Sequence, residues 1–361
     1  MEDIMNAKEK ATDISKCPNC GANMVFSPQK QMLECEHCGG TTEISMTKTE
    51  EQDFSKLMDK NAGSWNKETH VFRCSNCGAK EVLDKTTIAK NCSFCGTTNV
   101  VETDELAGLT PNAVVPYKLT KEEASVKAAE WAKKKVFAPR AFKRSFLPEE
   151  ISGTYNPAFT FDANTQSTYS GRLGRYHYTT KVVNGRTVST RHTTYFNING
   201  TLGKNFDDVT VQASTAIPLQ TINKLLPFDT NNAATYDKRF LHGYSAAQYT
   251  KDGQACWTEA CGMMDNQIRA SILSKYTYNE VQSLNVTTSR TNIKYKYMLL
   301  PLYIGHCNWK QKLYNFFVNG FSGKVTGKVP KSALKITLLV GGIVLAVAAA
   351  AVLYWLYGRA A

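Results

Sequence analysis

The sequence predicts a multidomain chain: two small four-cysteine ribbons, then an α+β domain rich in antiparallel strands, then one C-terminal transmembrane helix. Three observations carry that expectation. Cys17, Cys20, Cys35 and Cys38 recur as Cys74, Cys77, Cys92 and Cys95, each displaced by 57 positions. Residues 151–214 and 281–318 are rich in Tyr, Thr, Phe and Val and are punctuated by Asn-Gly pairs, the pattern of strands joined by tight turns. Residues 336–357, ITLLVGGIVLAVAAAAVLYWLY, carry no charge.

The ribbons are expected at 13–45 and 70–103, joined by an acidic linker at 46–69 with a short helix near 54–58. Each holds two Cys-x-x-Cys knuckles followed by glycine: Gly21, Gly39, Gly78 and Gly96. A turn that wraps thiolates around a metal needs a residue at positive φ, which glycine adopts without steric cost. Units this small bury too little apolar surface to fold alone, so the metal supplies folding energy. Four thiolates leave no open coordination position, which makes each a structural zinc ribbon and implies two structural Zn2+ ions. Redox disulfides are the other reading of such pairs. Thiolate sites need reduced cysteines, and the polar N-terminus MEDIMNAKEK lacks a secretory h-region, so this half is expected in the cytosol.

The α+β domain is expected over 111–329. Its first helix is predicted at 121–136, with Thr120 as N-cap, Glu123 completing a capping box and Pro139 as the stop. The lysine run 133–135 reads as a solvated helix end or as a contact for anionic lipid. Strands follow over 151–214, with hairpin signals at 182–188 (VVNGRTV) and 196–202 (FNINGTL). Residues 219–247 read as irregular with helical pieces, and 253–275 as a second helix. Strands return at 281–288, 293–304 and 312–318, then a hairpin turning at Asn319-Gly320. Tyr155-Asn-Pro157-Ala-Phe159 echoes Leu299-Leu-Pro301-Leu-Tyr303, through a duplicated β-unit or by chance.

Residues 336–357 are long enough, at about 1.5 Å per residue, to cross a bilayer core. Lys324, Lys328, Lys331 and Lys335 precede them and only Arg359 follows, so the positive-inside rule leaves the bulk of the chain cytoplasmic. The expectation is a tail-anchored, single-pass protein of the cell membrane, whose membrane-proximal lysines attract the anionic inner leaflet.

Charge narrows the function classes. The formal net charge of +12 divides into −5 over residues 1–110 and +17 over 111–361. The metal-binding half is thus the acidic one, and each four-thiolate zinc centre adds about −2 more. Nucleic-acid modules need Lys and Arg to displace phosphate counterions, so the ribbons are poor candidates for DNA or RNA. The stretch 172–195 mixes Arg with Tyr and His; it reads as plain sheet surface, as a membrane or protein contact, or, third, as the place where a membrane-tethered nucleic-acid binder would be sought. No catalytic residues are assigned, and an enzyme is not expected. Cys256 and Cys261 lie five apart on a helix, and His306 and Cys307 alternate across a strand, so neither pair is positioned by its spacing to make a nucleophile and base.

The paired ribbons, the run TYNPAFTFDANTQSTYSGRLG at 154–174 and the run YKYMLLPLYIGHCNWKQKLYNFFVNGFSGKVTGKVPKSALKI at 295–336 together resemble bacterial membrane-anchored TFIIB-type zinc-ribbon proteins. These are encoded in membrane-stress operons beside PspA and an SPFH-domain protein. Phe159 and Tyr303 stand where that family prefers Trp. The resemblance implies a scaffold that recruits SPFH-domain and PspA-like membrane-remodelling proteins, pairs with a related zinc-ribbon membrane protein, and forms hetero- or homo-oligomers.

Overall fold

The structure, a computed structural model, describes residues 16–57, 69–84, 92–94, 100–103, 109–146, 151–183 and 186–357. Strands β1 (Met24–Ser27), β2 (Met32–Cys35) and β3 (Thr41–Glu43) form a small antiparallel sheet, the first ribbon. Next come β4 (Gln52–Asp53) and the single turn α1 (Phe54–Leu57). The second ribbon contributes β5 (Thr69–Cys74), β6 (Lys80–Asp84) and β7 (Val100–Thr103). The body opens with β8 (Ala113–Val114), α2 (Lys121–Lys133) and α3 (Arg140–Ser145). The two long strands β9 (Ile151–Val183) and β10 (Arg186–Gln212) follow. Then come α4 (Leu219–Leu225), β11 (Ala234–Thr235), β12 (Ser245–Ala247) and α5 (Gly253–Leu273). The chain finishes with β13 (Glu280–Trp309), β14 (Lys312–Asn319), β15 (Val325–Gly327) and α6 (Ala333–Tyr357).

At 33 residues, β9 extends on the order of 100 Å before twist is allowed for. Its surroundings change along its length. From Thr154 to Phe161 every residue is buried, because both sheet faces are covered. Further on, Ala163, Thr165, Ser167, Tyr169 and Leu173 face inward while their neighbours are more open, since α5 covers one face alone. Beyond Gly174, where β13 begins, β9 and β10 continue as a two-stranded ribbon with little covering. Arg186 pairs with Val183 and so brackets Asn184-Gly185; that dipeptide lies outside the described residues. The other expected turn, at 196–202, is absent: those residues run straight through β10, with Asn199 opposite Ser170. Gly200 serves packing instead, since a Cβ there would meet the Tyr169 hydroxyl at 2.7 Å.

The echo between 155–159 and 299–303 is a pseudo-twofold axis. An axis exchanging β9 with β13 requires Tyr155 opposite Pro301 and Pro157 opposite Leu299, and both pairs are observed. The axis extends to their neighbours. Val114 of β8 lies parallel to Leu299, and Ala246 of β12 lies parallel to Tyr155. Six residues after each comes a helix N-cap: Thr120, with the expected capping box, and Asp252, whose carboxylate accepts from Ala255 N. The buried stripe Ala124, Ala128, Ala132 of α2 corresponds to Cys256, Ala260, Met264 of α5. Each half is therefore strand, helix, long strand, return strand: β8-α2-β9-β10 and β12-α5-β13-β14.

The axis also locates the second ribbon. In one half β8 pairs with β11; in the other, β12 pairs with β6. The ribbon's strands thereby join the body's sheet, in the order β11-β8-β13-β9-β12-β6-β5-β7. The first ribbon keeps its own sheet but buries Met24, Phe26 and Leu33 in the body's core. Phe26 meets Phe240 edge-on at 5.2 Å, and its backbone N donates to His242 O at 3.0 Å. Residues 46–57, expected as part of a linker, are no free tether. Thr49 N donates to Ala233 O at 3.0 Å, and β4 pairs with β13 through Asp53–Lys294 and Gln52–Tyr295.

Candidate metal centres and the membrane-facing helix

Three knuckles fall within the described residues, and they share one geometry. Gly21 N donates to Cys17 O at 2.8 Å, Gly39 N to Cys35 O at 2.8 Å and Gly78 N to Cys74 O at 2.9 Å. The three glycines have φ of 72°, 72° and 73°, a region costly for any residue with a Cβ. The turns bring the thiols of Cys17, Cys20, Cys35 and Cys38 within 4.8 Å of one another, and likewise those of Cys74, Cys77 and Cys92. Cys95 lies outside the described residues.

The sulfur spacing fits a metal. Cys17–Cys38, Cys20–Cys35 and Cys77–Cys92 are 3.4, 3.6 and 3.7 Å apart. A disulfide would need about 2.05 Å, whereas tetrahedral thiolates at about 2.3 Å from one ion sit about 3.8 Å from each other. Backbone amides favour the ionised form: the Asn19 N–H, with that of Cys20, brings the Cys17 thiol down to about 7. Gly40 backs the first cluster, where a Cβ would lie 3.4 Å from the sulfurs of Cys17 and Cys38. Both clusters can hold a metal ion.

Side chains of the body secure the second centre. His306 approaches Ser93 O through Nε2 at 3.2 Å and Asn315 through Nδ1 at 3.2 Å, while Asn315 Nδ2 donates to Phe94 O at 3.3 Å. Glu81, only 2% exposed, accepts from Ser93 N at 3.4 Å, and burial raises its carboxyl. Sequence reasoning missed these three residues; Glu81 stands on β6 of the ribbon itself, and the joining of β6 to the body's sheet brings His306 and Asn315 beside the knuckle. His306 is thus turned to the ribbon rather than to Cys307. Burial raises the Cys307 thiol, and it pushes Cys256 up to about 12, which leaves that thiol protonated and a poor nucleophile.

Asp207-Asp208 lie inside β10 at a bulge, with Asp208 at φ 51°. A second irregularity interrupts β13 at residues 292–293, on the other flank of Asp162. Glu51, Asp162 and Asp207 converge there within 4.8 Å, and Lys296 bonds Asp208 at 2.8 Å. Burial, followed by the hydrogen bond shared with Glu51, raises Asp162 from 3.8 to about 7. A raised carboxyl contributes stability that is complete below its ordinary range and is lost as pH rises through the folded value. Asp162→Asn should therefore flatten the decline in stability between about pH 4 and pH 7. Urea midpoints of both proteins across that window check this; parallel curves would show that the cluster does not titrate there.

In the stretch 172–195 the chain's own cations cover Tyr176 and Tyr195, and Phe196 beside it, while Tyr178 stays 64% exposed. Arg191 lies 4.5 Å over Tyr176, Arg172 5.1 Å over Tyr195 and Arg175 4.9 Å over Phe196. Tyr176 and Tyr195 both donate to Glu280. Rings engaged in this way are poor platforms for stacking bases.

Helix α6 is 25 residues, roughly 37 Å long, and its 333–353 segment is long and apolar enough to cross a membrane with none of it buried in the fold. Of the membrane-proximal lysines, Lys328 and Lys331 are exposed. Lys324 donates to Leu226 O at 2.7 Å. Lys335 donates to Val136 O at 2.9 Å and to Ala138 O at 2.7 Å, and Ser332 N donates to Phe137 O at 2.8 Å. These bonds fasten the helix entry directly to the turn after α2.

No family model matches this chain. No solved structure matches it either. It is similar to "Uncharacterized protein YdjG" of Bacillus subtilis (strain 168), with 28% identity over 341 residues that span 91% of this chain and 93% of that relative, so the likeness covers most of both chains.

Proposed function

We propose that the protein is a membrane-anchored, cytosol-facing adaptor that presents two structural zinc ribbons to protein partners. The observation that carries this reading is the fastening of α6. Lys335 and Ser332 hold three consecutive carbonyls of the turn after α2, so the body is set on its anchor in a fixed pose. A fixed pose suits a platform that must receive a partner at a defined height above the bilayer. The ribbons suit docking because they are fixed to that platform, one by its core and one through the shared sheet. Between them opens a cleft of about 940 Å³ whose lining includes Glu34, Glu36 and Glu122 against Lys121, the single cation among the described residues that line it. Such a cleft favours a basic partner segment, with charge governing encounter more than affinity.

SPFH-domain proteins, PspA-like membrane-remodelling proteins and a related zinc-ribbon membrane protein are the partners proposed, in response to membrane stress. The test is a tagged pull-down from detergent-solubilised membranes, with and without nuclease, read by mass spectrometry. Recovery of those partners regardless of nuclease is the expected result. Recovery of nucleic-acid-associated proteins that vanish with nuclease would replace the adaptor with a membrane-tethered nucleic-acid binder acting through the basic body.

A further inference from the structure

We infer that the turn joining α2 to α3, with Val136 and Phe137 at its crest, is a second membrane contact that seats in the interfacial layer of an anionic leaflet. The inference rests on the anchoring role proposed for α6.

The position of the turn comes from its backbone. Its carbonyls at 136, 137 and 138 accept from the Lys335 ammonium, the Ser332 amide and the Lys335 ammonium again. The apolar span of α6 starts at these same residues, so the turn stands where the helix enters the bilayer. A peptide carbonyl near lipid is tolerated only when it has a partner, and these three have one. In a helix the side chain leans toward the N-terminus, which carries the Lys335 ammonium back to the polar side.

The side chains suit the same layer. Val136 is 71% exposed and Phe137 39%, whereas Ala132, Ala138 and Phe142 around them are 0% exposed. The fold thus turns two apolar residues outward from a segment that otherwise packs inward. Single exposed apolar residues are ordinary. The charge beside these two is not: from Trp131 to Phe146 there is no Asp or Glu, and Lys133, Lys134, Arg140 and Arg144 are all exposed. Lys328 and Lys331 add to the same end of the molecule. An apolar crest ringed by cations, continuous with a spanning helix, matches the chemistry of an anionic lipid surface.

The test uses the full chain reconstituted in vesicles of equal parts phosphatidylcholine and phosphatidylglycerol, brominated at defined acyl positions. Phe137→Trp adds an indole at an exposed site, and its emission is taken as the difference from the parent protein. Resistance to carbonate extraction reports separately on α6. Bromines near the headgroup should remove about half of the added emission, and bromines near the chain ends should remove little. Phosphatidylcholine alone, or Lys133→Gln with Lys134→Gln and Arg140→Gln, should weaken that quenching at least about twofold. An unquenched indole in a carbonate-resistant protein would overturn this inference and leave the anchor standing. Quenching that ignores both lipid charge and the three glutamines would overturn the anionic specificity. Release of the chain by carbonate would overturn the inference together with the anchor.

Discussion

Serine in place of Cys77 should lower the main unfolding transition of the whole body, whereas serine in place of Cys20 should split off an early transition confined to the first ribbon. The two cysteines hold equivalent places in their knuckles and both are exposed, so the substitutions are matched chemically. Their consequences differ because of topology. The first ribbon keeps a sheet of its own and leans on the body through Phe26, Met24 and Leu33. Without its ion, β1 to β3 can fray while β9, β13 and their helices stay intact. In the second ribbon β6 is hydrogen-bonded to β12, and β12 to β9. Losing that ion frees the knuckle from His306 and Asn315 and opens Glu81 to water beside the central strands. The expected cost is several kcal/mol, a fraction of the roughly 10–16 kcal/mol that structural zinc supplies to isolated fingers. Metal analysis should show one zinc per chain in each variant against two in the parent, and urea melts should separate the two behaviours. Identical early transitions in both variants would mean that the second ribbon folds as an independent bead and that its sheet pairing is energetically idle.

Features written in a few adjacent residues were legible before the fold was known. The knuckles follow from Cys-x-x-Cys-Gly, because the metal geometry and the positive φ are both local demands. Thr120 and Glu123 form their capping box as the sequence indicates. The hairpin at 182–188 falls where Asn-Gly stands, since Val183 and Arg186 pair across it. The apolar run of α6 needs only counting.

What escaped was decided by neighbours distant in sequence. Asn199-Gly200 carries the same turn signal as Asn184-Gly185, yet it stays extended because the Tyr169 ring occupies the space beside Gly200. The polar composition of 46–57 suggested a tether, but its backbone finds the edge of β13 and the neighbourhood of Ala233. The repeat in 155–159 and 299–303 is too short to separate from chance as a sequence. It gains meaning from pairing: only an axis between the two strands sets Pro157 opposite Leu299 and Pro301 opposite Tyr155 together. The supports of the second metal centre, His306, Asn315 and Glu81, come from three strands that the sheet order alone assembles.

One arginine in the middle of α6 should leave most of the protein membrane-bound, and two should release it. Residues 336–357 contain eleven Leu, Ile and Val residues. At roughly −0.3 to −0.6 kcal/mol each, they favour insertion by about 3–7 kcal/mol in total. A central arginine costs about 2.5–3.5 kcal/mol, comparable to the lower end of that range, and two cost about 5–7 kcal/mol, at or above the roughly 3–5 kcal/mol that the remaining apolar residues then supply. Leu345→Arg alone is therefore expected to remain largely carbonate-resistant, and Leu345→Arg with Val347→Arg to move to the soluble fraction. The released protein should keep two zinc ions, because neither residue packs on the body: both are exposed, at 72% and 64%. Release would also rank the two membrane contacts. The crest at Val136 and Phe137 offers two apolar side chains, too few to hold the chain without the helix, so its role is to set the tilt of the body on an anchor that α6 provides. A doubly substituted protein that stays carbonate-resistant would reverse that ranking and place the anchoring free energy in the body.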